Sequence, residues 1–216
     1  MCAACGRGGG SGDSAVKPTV FVVDDDGSVL VAVARLIRSA GHNVETFASP
    51  HEFFSRAQGD EAGCLVVDLR MPELNGLQLQ EGLMRCGCRI PIIFMSGQAD
   101  IQSTVKAIQR GAIDFLIKPF DEHQLLDAIE RAIARDLEQR ASRAQREALQ
   151  GRLDSLTPRE HQVCMLVAAG RLNKQIAAEL NIAEKTVKAH RARVMAKLDA
   201  SSVADLVRIV DRAHQP

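Results

Sequence analysis

Five short segments of this sequence carry residues whose types could do chemistry together. Four of them supply carboxylates, a hydroxyl and an ammonium: Asp24-Asp25-Asp26, Asp68, Ser96 and Lys118-Pro119. Phosphoryl transfer to a carboxylate needs such a set, because it requires a nucleophile, oxygen ligands for a divalent cation, and donors for the other phosphate oxygens. The fifth segment, Thr186-Val187-Lys188-Ala189-His190, is basic and is predicted to be helical, which suits a DNA groove.

The elements that must position the first four segments follow from an alternation of short apolar runs with helical periodicity. The runs predict strands at Val20–Val23, Val44–Phe47, Cys64–Val67, Ile92–Met95 and Phe115–Ile117. Helices are predicted from Ser28, as N-cap, to about Ala40, from Pro50, over Gly76–Met84, over Ile101–Arg110, and from about Asp121. This order predicts a doubly wound, five-stranded parallel sheet with helices on both faces.

In such a sheet, ligands bind outside the carboxyl ends of the strands. Asp24 and Asp25 end the first predicted strand and Asp68 ends the third. Ser96 ends the fourth and Lys118 ends the fifth. We therefore expect one acidic crevice, and its carboxylates suit Mg²⁺, a hard cation that prefers oxygen ligands.

A long helix is predicted to follow the sheet. The stretch from Gln124 to Arg152 has no Pro and a single Gly, Gly151. Apolar residues recur in it every three or four positions, giving a narrow seam: Ile129, Ile133, Leu137, Ala141, Ala144 and Ala148. The stretch is either a solvated linker helix or a coiled-coil seam between two protomers.

Residues 153–216 predict a compact all-helical block. Thr157-Pro158 opens a helix, with Glu160 at capping-box distance from Thr157. A short helix at Asn173–Leu180, a turn at 181–183 and a longer basic helix at Glu184–Leu198 follow. Ser201 or Ser202 caps a final helix.

The basic helix has two distinct faces on a helical wheel. Val187, Val194 and Leu198 form the face expected to pack on the domain. The opposite face holds Lys185, Lys188, Ala189, Ala192 and Arg193, while Thr186, His190 and Arg191 lie on the flanks, where phosphates would be. A charged face is often only solvated, but here it follows a short helix and a three-residue turn, the spacing of a helix-turn-helix. His190 is either a phosphate contact or a half-buried packing residue.

The charge distribution points to a polyanion only for the C-terminal part. The 216 residues carry no net charge, but residues 1–123 hold 11 Lys and Arg against 15 Asp and Glu, and residues 151–216 hold 11 against 7. The stretch between them is balanced, so only the C-terminal part has the excess of cations that would favour a polyanion.

The chain has no Trp and no Tyr, and we therefore exclude stacking of nucleic-acid bases on these side chains.

The first residues and the cysteines indicate a cytoplasmic protein. Residues 1–14 are rich in Gly and Ser without an apolar run, and no run is long enough to span a membrane. We therefore expect reduced thiols for all six cysteines. Cys2 and Cys5 have the spacing of half a zinc site, whereas Cys64 and Cys164 lie in apolar runs and are expected in the core.

A different reading of the first segment is the opening motif of haloacid dehalogenase-like phosphatases, an apolar strand followed by Asp-x-Asp-Gly-Ser. Asp24 would then be the nucleophile, and a later acidic pair would bind the metal. In this sequence the acids after Lys118 begin a helix, and this interpretation leaves Asp68 without a role.

Residues 18–135 resemble a receiver domain of two-component signalling, which has a flavodoxin-like fold. The matching motifs, in order, are Val22-Val23-Asp24-Asp25-Asp26, Val67-Asp68-Leu69-Arg70-Met71-Pro72, Asn75-Gly76, Met95-Ser96-Gly97 and Asp114-Phe115-Leu116-Ile117-Lys118-Pro119-Phe120. The resemblance implies that Asp68 is the phosphoacceptor. It implies that Mg²⁺ or Mn²⁺ is bound by Asp25 directly, by Asp24 through water, by Asp68 and by the backbone carbonyl of Arg70.

The resemblance also implies that Ser96 and Lys118 bind the phosphoryl oxygens and that the Lys118-Pro119 bond is cis. Ser96 and Phe115 would form the switch, with Ser96 moving to the phosphoryl group and Phe115 rotating inward. Arg70 and Gln98 flank the pocket and would tune the lifetime of the phosphoryl group.

Residues 154–213 resemble the LuxR-type helix-turn-helix. The matching segments are Leu156-Thr157-Pro158-Arg159-Glu160, Asn173-Lys174-Gln175-Ile176-Ala177 and Lys185-Thr186-Val187-Lys188-Ala189-His190-Arg191. The whole is similar to the FixJ/StyR branch of response regulators, with a flexible tail at 1–17, a receiver at 18–123, a linker helix at 124–152 and a DNA-binding domain at 153–216.

The resemblance implies a phosphoprotein of a two-component system that regulates transcription and has no enzyme activity beyond the receiver's own phosphoryl transfer and dephosphorylation. Its implied partners are a sensor histidine kinase, double-stranded DNA, RNA polymerase and, on phosphorylation, a second copy of the chain. Two alternatives stay open: an adaptor that binds only proteins, and a DNA-binding protein whose receiver no longer takes phosphate.

Overall fold

The computed structural model describes residues 17–56, 61–97 and 101–214. The chain divides into two compact units at Gln139 and Arg140, and each unit is described by itself. Most of the predicted tail, with Cys2 and Cys5, and Gln98 lie outside the described residues. In the part of the chain that is described, no helix combines the length and the apolar character needed to cross a membrane.

The first unit is a parallel five-stranded sheet with the strand order β2-β1-β3-β4-β5. The strands are β1 at Thr19–Val23, β2 at Asn43–Phe47, β3 at Gly63–Asp68, β4 at Ile92–Ser96 and β5 at Asp114–Ile117. The helices are α1 at Gly27–Ser39, α2 at Pro50–Arg56, α3 at Gly76–Arg85, α4 at Ile101–Gln109 and α5 at Glu122–Asp154. The predicted doubly wound fold is confirmed, and the predicted boundaries differ from these by one or two residues.

The sheet is buried on both faces because apolar side chains fill consecutive positions of its inner strands, at 20–23, 64–67 and 92–95. Along β1, Val20 and Val22 join the core beneath α1 and α5, while Phe21 and Val23 join the core beneath α2, α3 and α4. The strands β3 and β4 alternate in the same way. This period of two is what a strand presents to two helical layers, and it explains why the sequence shows continuous apolar runs.

The helix α1 begins two positions earlier than the sequence suggested. Its N-cap is Asp26, whose carboxylate accepts the backbone N–H of Ser28 at 2.8 Å, so the prediction of Ser28 as N-cap is wrong. Asp and Ser are both good N-caps, and local sequence does not separate them when they are two residues apart. The third aspartate of the acidic run is therefore used by the helix.

The helix α5 contributes its first turns to the core of the first unit. Ile129 and Ile133, the first two positions of the predicted seam, are buried there. The seam residue Leu137 is 46% exposed, and Ala141, Ala144 and Ala148 are exposed as well. A seam between two protomers would therefore have only Leu137 and these alanines to bury.

The second unit packs the end of α5 with four further helices: α6 at Pro158–Ala168, α7 at Asn173–Leu180, α8 at Glu184–Leu198 and α9 at Val203–His214. Thr157 and Glu160 form the predicted capping box of α6. The hydroxyl of Ser202 accepts the N–H of Asp205 at 3.1 Å, so Ser202 is the cap of α9. Asn181 ends α7 in the left-handed conformation, which gives the tight turn before α8.

Candidate functional site

The parallel register brings four predicted site residues to one edge of the sheet. Val23 pairs with Val67, so Asp24 and Asp68 are the next residues on neighbouring strands. Asp68 pairs with Met95, and Ser96 pairs with Ile117, the residue before Lys118. These residues therefore lie at neighbouring strand ends on one edge of the sheet.

Lys118 lies between the two buried carboxylates of this edge. Its ammonium donates to Oδ2 of Asp24 and to Oδ1 of Asp68, at 2.7 Å in each case. The side chains of Asp24 and Asp68 are 1% and 9% exposed, so the two pairs are shielded from water. The peptide bond from Lys118 to Pro119 is cis, as expected. The ammonium thus holds together two carboxylates that would otherwise repel each other.

Burial sets the protonation properties of this cluster. Desolvation raises the pKa of Asp68 above its usual value, although the hydrogen bonds from Lys118 and from the N–H of Arg70 act in the opposite direction. For Lys118, burial disfavours the ammonium, but its bonds to Asp24 and Asp68 outweigh this and raise its pKa. Lys118 therefore stays charged at neutral pH and keeps a cation beside Asp68.

The other two residues of the acidic run have different environments. Asp25 is exposed. The backbone N–H of Asp26 donates to Oδ1 of Asp24 at 2.9 Å, which orients the buried carboxylate. The carboxylate of Asp26 is occupied by Ser28, whose hydroxyl and N–H lower its pKa. The run thus places one buried carboxylate beside Lys118, leaves one exposed, and uses one to cap the helix.

The loop after β3 is built tightly around Asp68. The N–H of Arg70 donates to Oδ2 of Asp68 at 2.6 Å, while the Arg70 side chain is exposed. Gly76 packs against β3 so closely that a Cβ there would lie 2.7 Å from the carbonyl oxygen of Asp68. Asn75 and Gln78 form a capping box that starts α3 at this point. The Asn75-Gly76 motif therefore has a structural reason, which is the close approach of α3 to Asp68.

The donor atoms at this edge suit a hard divalent cation. Asp24, Asp25 and Asp68 offer carboxylate oxygens, and Arg70 offers a backbone carbonyl. Mg²⁺ takes one or two carboxylates together with water and substrate oxygens, so a complete protein cage is not required. Within residues 17–56, 61–97 and 101–214, no three His, Cys, Asp or Glu residues converge as a metal site. The acidic residues fit a water-rich site of the magnesium type and do not form a closed one.

The two predicted switch residues lie on adjacent strands. Ser96 is fully buried at the end of β4, and its backbone carbonyl accepts the N–H of Lys118 at 2.7 Å. Phe115 is half-buried on β5, and its ring centroid lies 6.4 Å from that of Phe94. Three apolar side chains on the neighbouring elements are about half exposed: Val105 and Ile108 on α4 and Ile117 on β5.

The helix α8 has one buried apolar face and one exposed basic face, on the sides that the helical wheel predicts. Val187, Val194 and Leu198 are buried in the core of the second unit. Lys185, Thr186, Lys188, Ala189, Ala192 and Arg193 are exposed. His190 and Arg191 are half-buried, and Nδ1 of His190 is buried with no hydrogen-bond partner among the residues described. The exposed residues form one continuous polar face with small residues between the cations.

One contact on this helix was not visible in the sequence. The guanidinium of Arg191 donates to the side-chain oxygen of Asn173 at 2.6 Å and so ties α8 to the first turn of α7. Both residues belong to the motif segments, but nothing in a single sequence pairs positions 18 apart in different helices. Asn173 is thus a positioning residue for the basic helix.

Two family models match this chain, one for each unit. A model of the response regulator receiver domain matches residues 20–130, and a model of the luxR family of bacterial regulatory proteins matches residues 154–210.

Individual proteins are similar to it over nearly the whole length. The response regulator protein TodT of Pseudomonas putida is 46% identical over 193 residues, which are 89% of this chain and 85% of TodT. The transcriptional regulatory protein FixJ of Bradyrhizobium diazoefficiens is 38% identical over 197 residues, 91% of this chain and 96% of FixJ. The low-resolution structure of the response regulator StyR has a TM-score of 0.85 and 48% identity, covering 91% of this chain and 99% of StyR.

Proposed function

This chain belongs to the response regulators of two-component systems that join a receiver domain to a LuxR-type DNA-binding domain, and on that basis we propose that Asp68 is its phosphoacceptor. The observation that carries the proposal is the Lys118 ammonium, which bonds the buried Asp68 carboxylate at 2.7 Å. This cation counteracts the burial that raises the pKa of Asp68 and so favours the ionised carboxylate. A carboxylate oxygen attacks phosphorus as the bond from phosphorus to the donor breaks, and the leaving group is the histidine nitrogen of a sensor kinase, or acetate when acetyl phosphate is the donor.

The chain's own residues have separate roles in the transfer. The N–H of Arg70 and the ammonium of Lys118 orient the two oxygens of Asp68. After transfer, Lys118 and the hydroxyl of Ser96 bind the phosphoryl oxygens. This phosphoryl transfer and the later dephosphorylation are the only reactions that we assign to the chain.

Asp24, Asp25, Asp68 and the backbone carbonyl of Arg70 would hold Mg²⁺ or Mn²⁺. When bound, the cation neutralises the phosphate oxygens as the phosphoryl group is transferred. We assign Asp25 as a direct ligand because it follows Asp24 in the chain, is exposed and does not cap a helix.

Phosphorylation of Asp68 changes how the chain associates with a second copy of itself. Ser96 moves toward the phosphoryl group, and Phe115 rotates into the space beside it. The half-exposed residues Val105, Ile108 and Ile117 lie on α4 and β5, the elements that these two residues adjoin. We place a phosphorylation-dependent homodimer on this apolar face, since a second copy would cover it.

DNA binding follows from the dimer. Two copies of α8 would enter successive major grooves of a pseudo-palindromic site. Lys185, Lys188 and Arg193 would meet the groove across the small residues Ala189 and Ala192. Thr186, His190 and Arg191 would meet the phosphates on the flanks. A sensor histidine kinase supplies the phosphoryl group, and RNA polymerase is the partner of the DNA-bound dimer.

Intact mass tests the phosphoacceptor directly. The full chain is incubated with Mg²⁺ and acetyl phosphate, alongside Asp68→Asn and Asp60→Asn as a matched acidic control. A single phosphoryl adduct on the wild type and on Asp60→Asn, absent from Asp68→Asn, is the expected result. An adduct that persists in Asp68→Asn would move the phosphoacceptor elsewhere.

A further inference from the structure

Asp136 is a buried carboxylate that neither the phosphoryl site nor the DNA-binding face uses. It lies on α5 and is 4% exposed. Removing an ionised carboxylate from water is costly unless donors compensate it. One compensating donor is the backbone N–H of Gly63, which lies 2.9 Å from Oδ2 of Asp136 although the two residues are 73 positions apart.

The donor of this bond is fixed in place by sterics. Gly63 opens β3 with φ of +150°, and a Cβ there would lie 1.8 Å from the carbonyl oxygen of Thr19 on β1. Only glycine permits this approach of the two strands. The N–H that donates to Asp136 therefore lies where β1 and β3 approach each other closely.

The bond lies in a buried part of the first unit, where Asp136 is 4% exposed and Cys64 is fully buried. Cys64 follows Gly63, and burial together with the negative charge of Asp136 raises its thiol pKa to about 12. A hydrogen bond in a site with so little water is stronger than one at the surface, and the loss of one partner is correspondingly costly.

Asp136 lies where α5 leaves the sheet. The helix residues before it, Ala132 and Ile133, are buried in the core, and the next residue, Leu137, is 46% exposed. The strand that it holds is β3, whose other end carries Asp68. One short, fully buried strand therefore connects the phosphoacceptor edge with the anchor of the helix that continues into the second unit.

We propose that Asp136 is a positioning residue that clamps α5 to the amino end of β3 and passes the phosphorylation state of the first unit into the later turns of α5. This inference rests on the proposed function, because it assumes that Asp68 is phosphorylated. Asp136 itself touches no reacting atom.

Hydrogen exchange by mass spectrometry on the full chain tests the clamp, with three variants. Asp136→Ala removes the acceptor, Asp136→Asn keeps a carbonyl oxygen in its place, and Asp127→Ala makes the same change at an exposed position of α5. Without phosphoryl donor, we expect exchange of peptides covering Gly63 and residues 133–137 to rise at least tenfold in Asp136→Ala alone. Unchanged exchange there would overturn the clamp.

The second comparison uses Mg²⁺ and acetyl phosphate. We expect all four proteins to take up the phosphoryl group within twofold of each other, since Asp136 is at the far end of β3. In wild type, Asp136→Asn and Asp127→Ala, phosphorylation should change exchange over residues 137–148, and in Asp136→Ala this change should be lost. The same change in phosphorylated Asp136→Ala would overturn the transmission.

The two proposals fail in different ways. If no protein forms an adduct, wild type included, the proposed function and the transmission that rests on it are both contradicted. The exchange measured without phosphoryl donor still tests the hydrogen bond between Gly63 and Asp136. If every protein forms the adduct and phosphorylation still changes exchange over residues 137–148 in Asp136→Ala, the proposed transmission through Asp136 is contradicted and the proposed function is not. Circular dichroism of Asp136→Ala separates the effect of the lost acceptor from a general loss of folding.

Discussion

At the scale of single residues, Lys118 carries the largest share of the proposed chemistry. Its ammonium bonds two carboxylates that are almost fully buried, so its removal leaves two like charges facing each other. The sequence places Lys118 at the right strand end. It does not indicate that one ammonium bridges Asp24 and Asp68, because that depends on the pairing of three strands.

Lys118→Met should reduce the rate of phosphoryl uptake from acetyl phosphate about 100-fold, the usual loss when one preorganised donor to a developing charge is removed. The variant also raises the pKa of Asp68 further, since the bonds from Lys118 lower it in the wild type. The rate of adduct formation, followed by intact mass at several pH values, measures both effects.

Lys106→Met is the matched control, because Lys106 is an exposed lysine on α4 and does not lie at a strand end. It should label at the wild-type rate. Equal rates for the Lys118 and Lys106 variants would remove Lys118 from the mechanism.

In the second unit, Glu160 is another buried carboxylate that is bonded by a lysine ammonium. Lys197 donates to its carboxylate at 2.6 Å and Thr157 donates its backbone N–H, and together they lower the pKa of Glu160 from 4.5 to about 2. A carboxylate with a lowered pKa stabilises the folded state above its unfolded pKa, and this contribution disappears as the pH falls through the folded value. The capping box with Thr157 was predictable, but the partner 37 residues away was not.

Glu160→Gln should therefore be less stable than the wild type at neutral pH, and the difference should shrink between about pH 4.5 and pH 2. Urea denaturation of the full chain followed by circular dichroism measures the difference at each pH. Glu179→Gln, at an exposed position of α7, is the control and should follow the wild type throughout. A difference that does not depend on pH would assign the effect to packing.

At the scale of elements, the helix-turn-helix has two helices whose N-caps lack a capping side chain. Leu172 precedes α7 and Ala183 precedes α8. Leu172 has extended backbone angles and its N–H donates to the Gln175 side chain at 2.9 Å, so half of a capping box is already in place. The side chain of Leu172 is also 69% exposed, and it contributes little apolar burial.

Leu172→Ser should stabilise the second unit by about 1 kcal/mol, because the hydroxyl can accept the N–H of Gln175 and complete the box. The midpoint of urea denaturation for the full chain measures this gain. Leu172→Ala removes the same exposed side chain without adding an acceptor. If it stabilises as much as Leu172→Ser, the gain comes from removing leucine and not from capping.

The elements themselves were accessible from sequence because their signals are local. Apolar runs, capping residues and turn glycines lie within a few residues of the helix or strand that they define. The helices α7 and α8 were predicted with the boundaries that the structure has. Where two local signals compete, as Asp26 and Ser28 do, the sequence does not decide. Contacts such as Gly63 with Asp136 depend on the packing of distant segments and leave no local trace.

At the scale of the whole molecule, the proposed phosphorylation-dependent dimer requires the apolar face of α4 and β5 to become a contact between two copies. Ile108→Asp should weaken phosphorylation-dependent dimerisation more than tenfold, because a charge would be buried at the contact. Sedimentation velocity with Mg²⁺ and acetyl phosphate measures the dimer fraction. Val31→Asp is the control, since Val31 is even more exposed but lies on α1, and it should dimerise normally.

The central claim is that phosphorylation of Asp68 produces the DNA-binding form. Selection from a pool of random duplexes at physiological salt tests it most directly, using wild type and Asp68→Asn with Mg²⁺ and acetyl phosphate. We expect only the wild type to enrich a two-fold symmetric sequence with half-sites about 10 base pairs apart. Equal enrichment by Asp68→Asn, or enrichment by the wild type that does not depend on the donor, would contradict it.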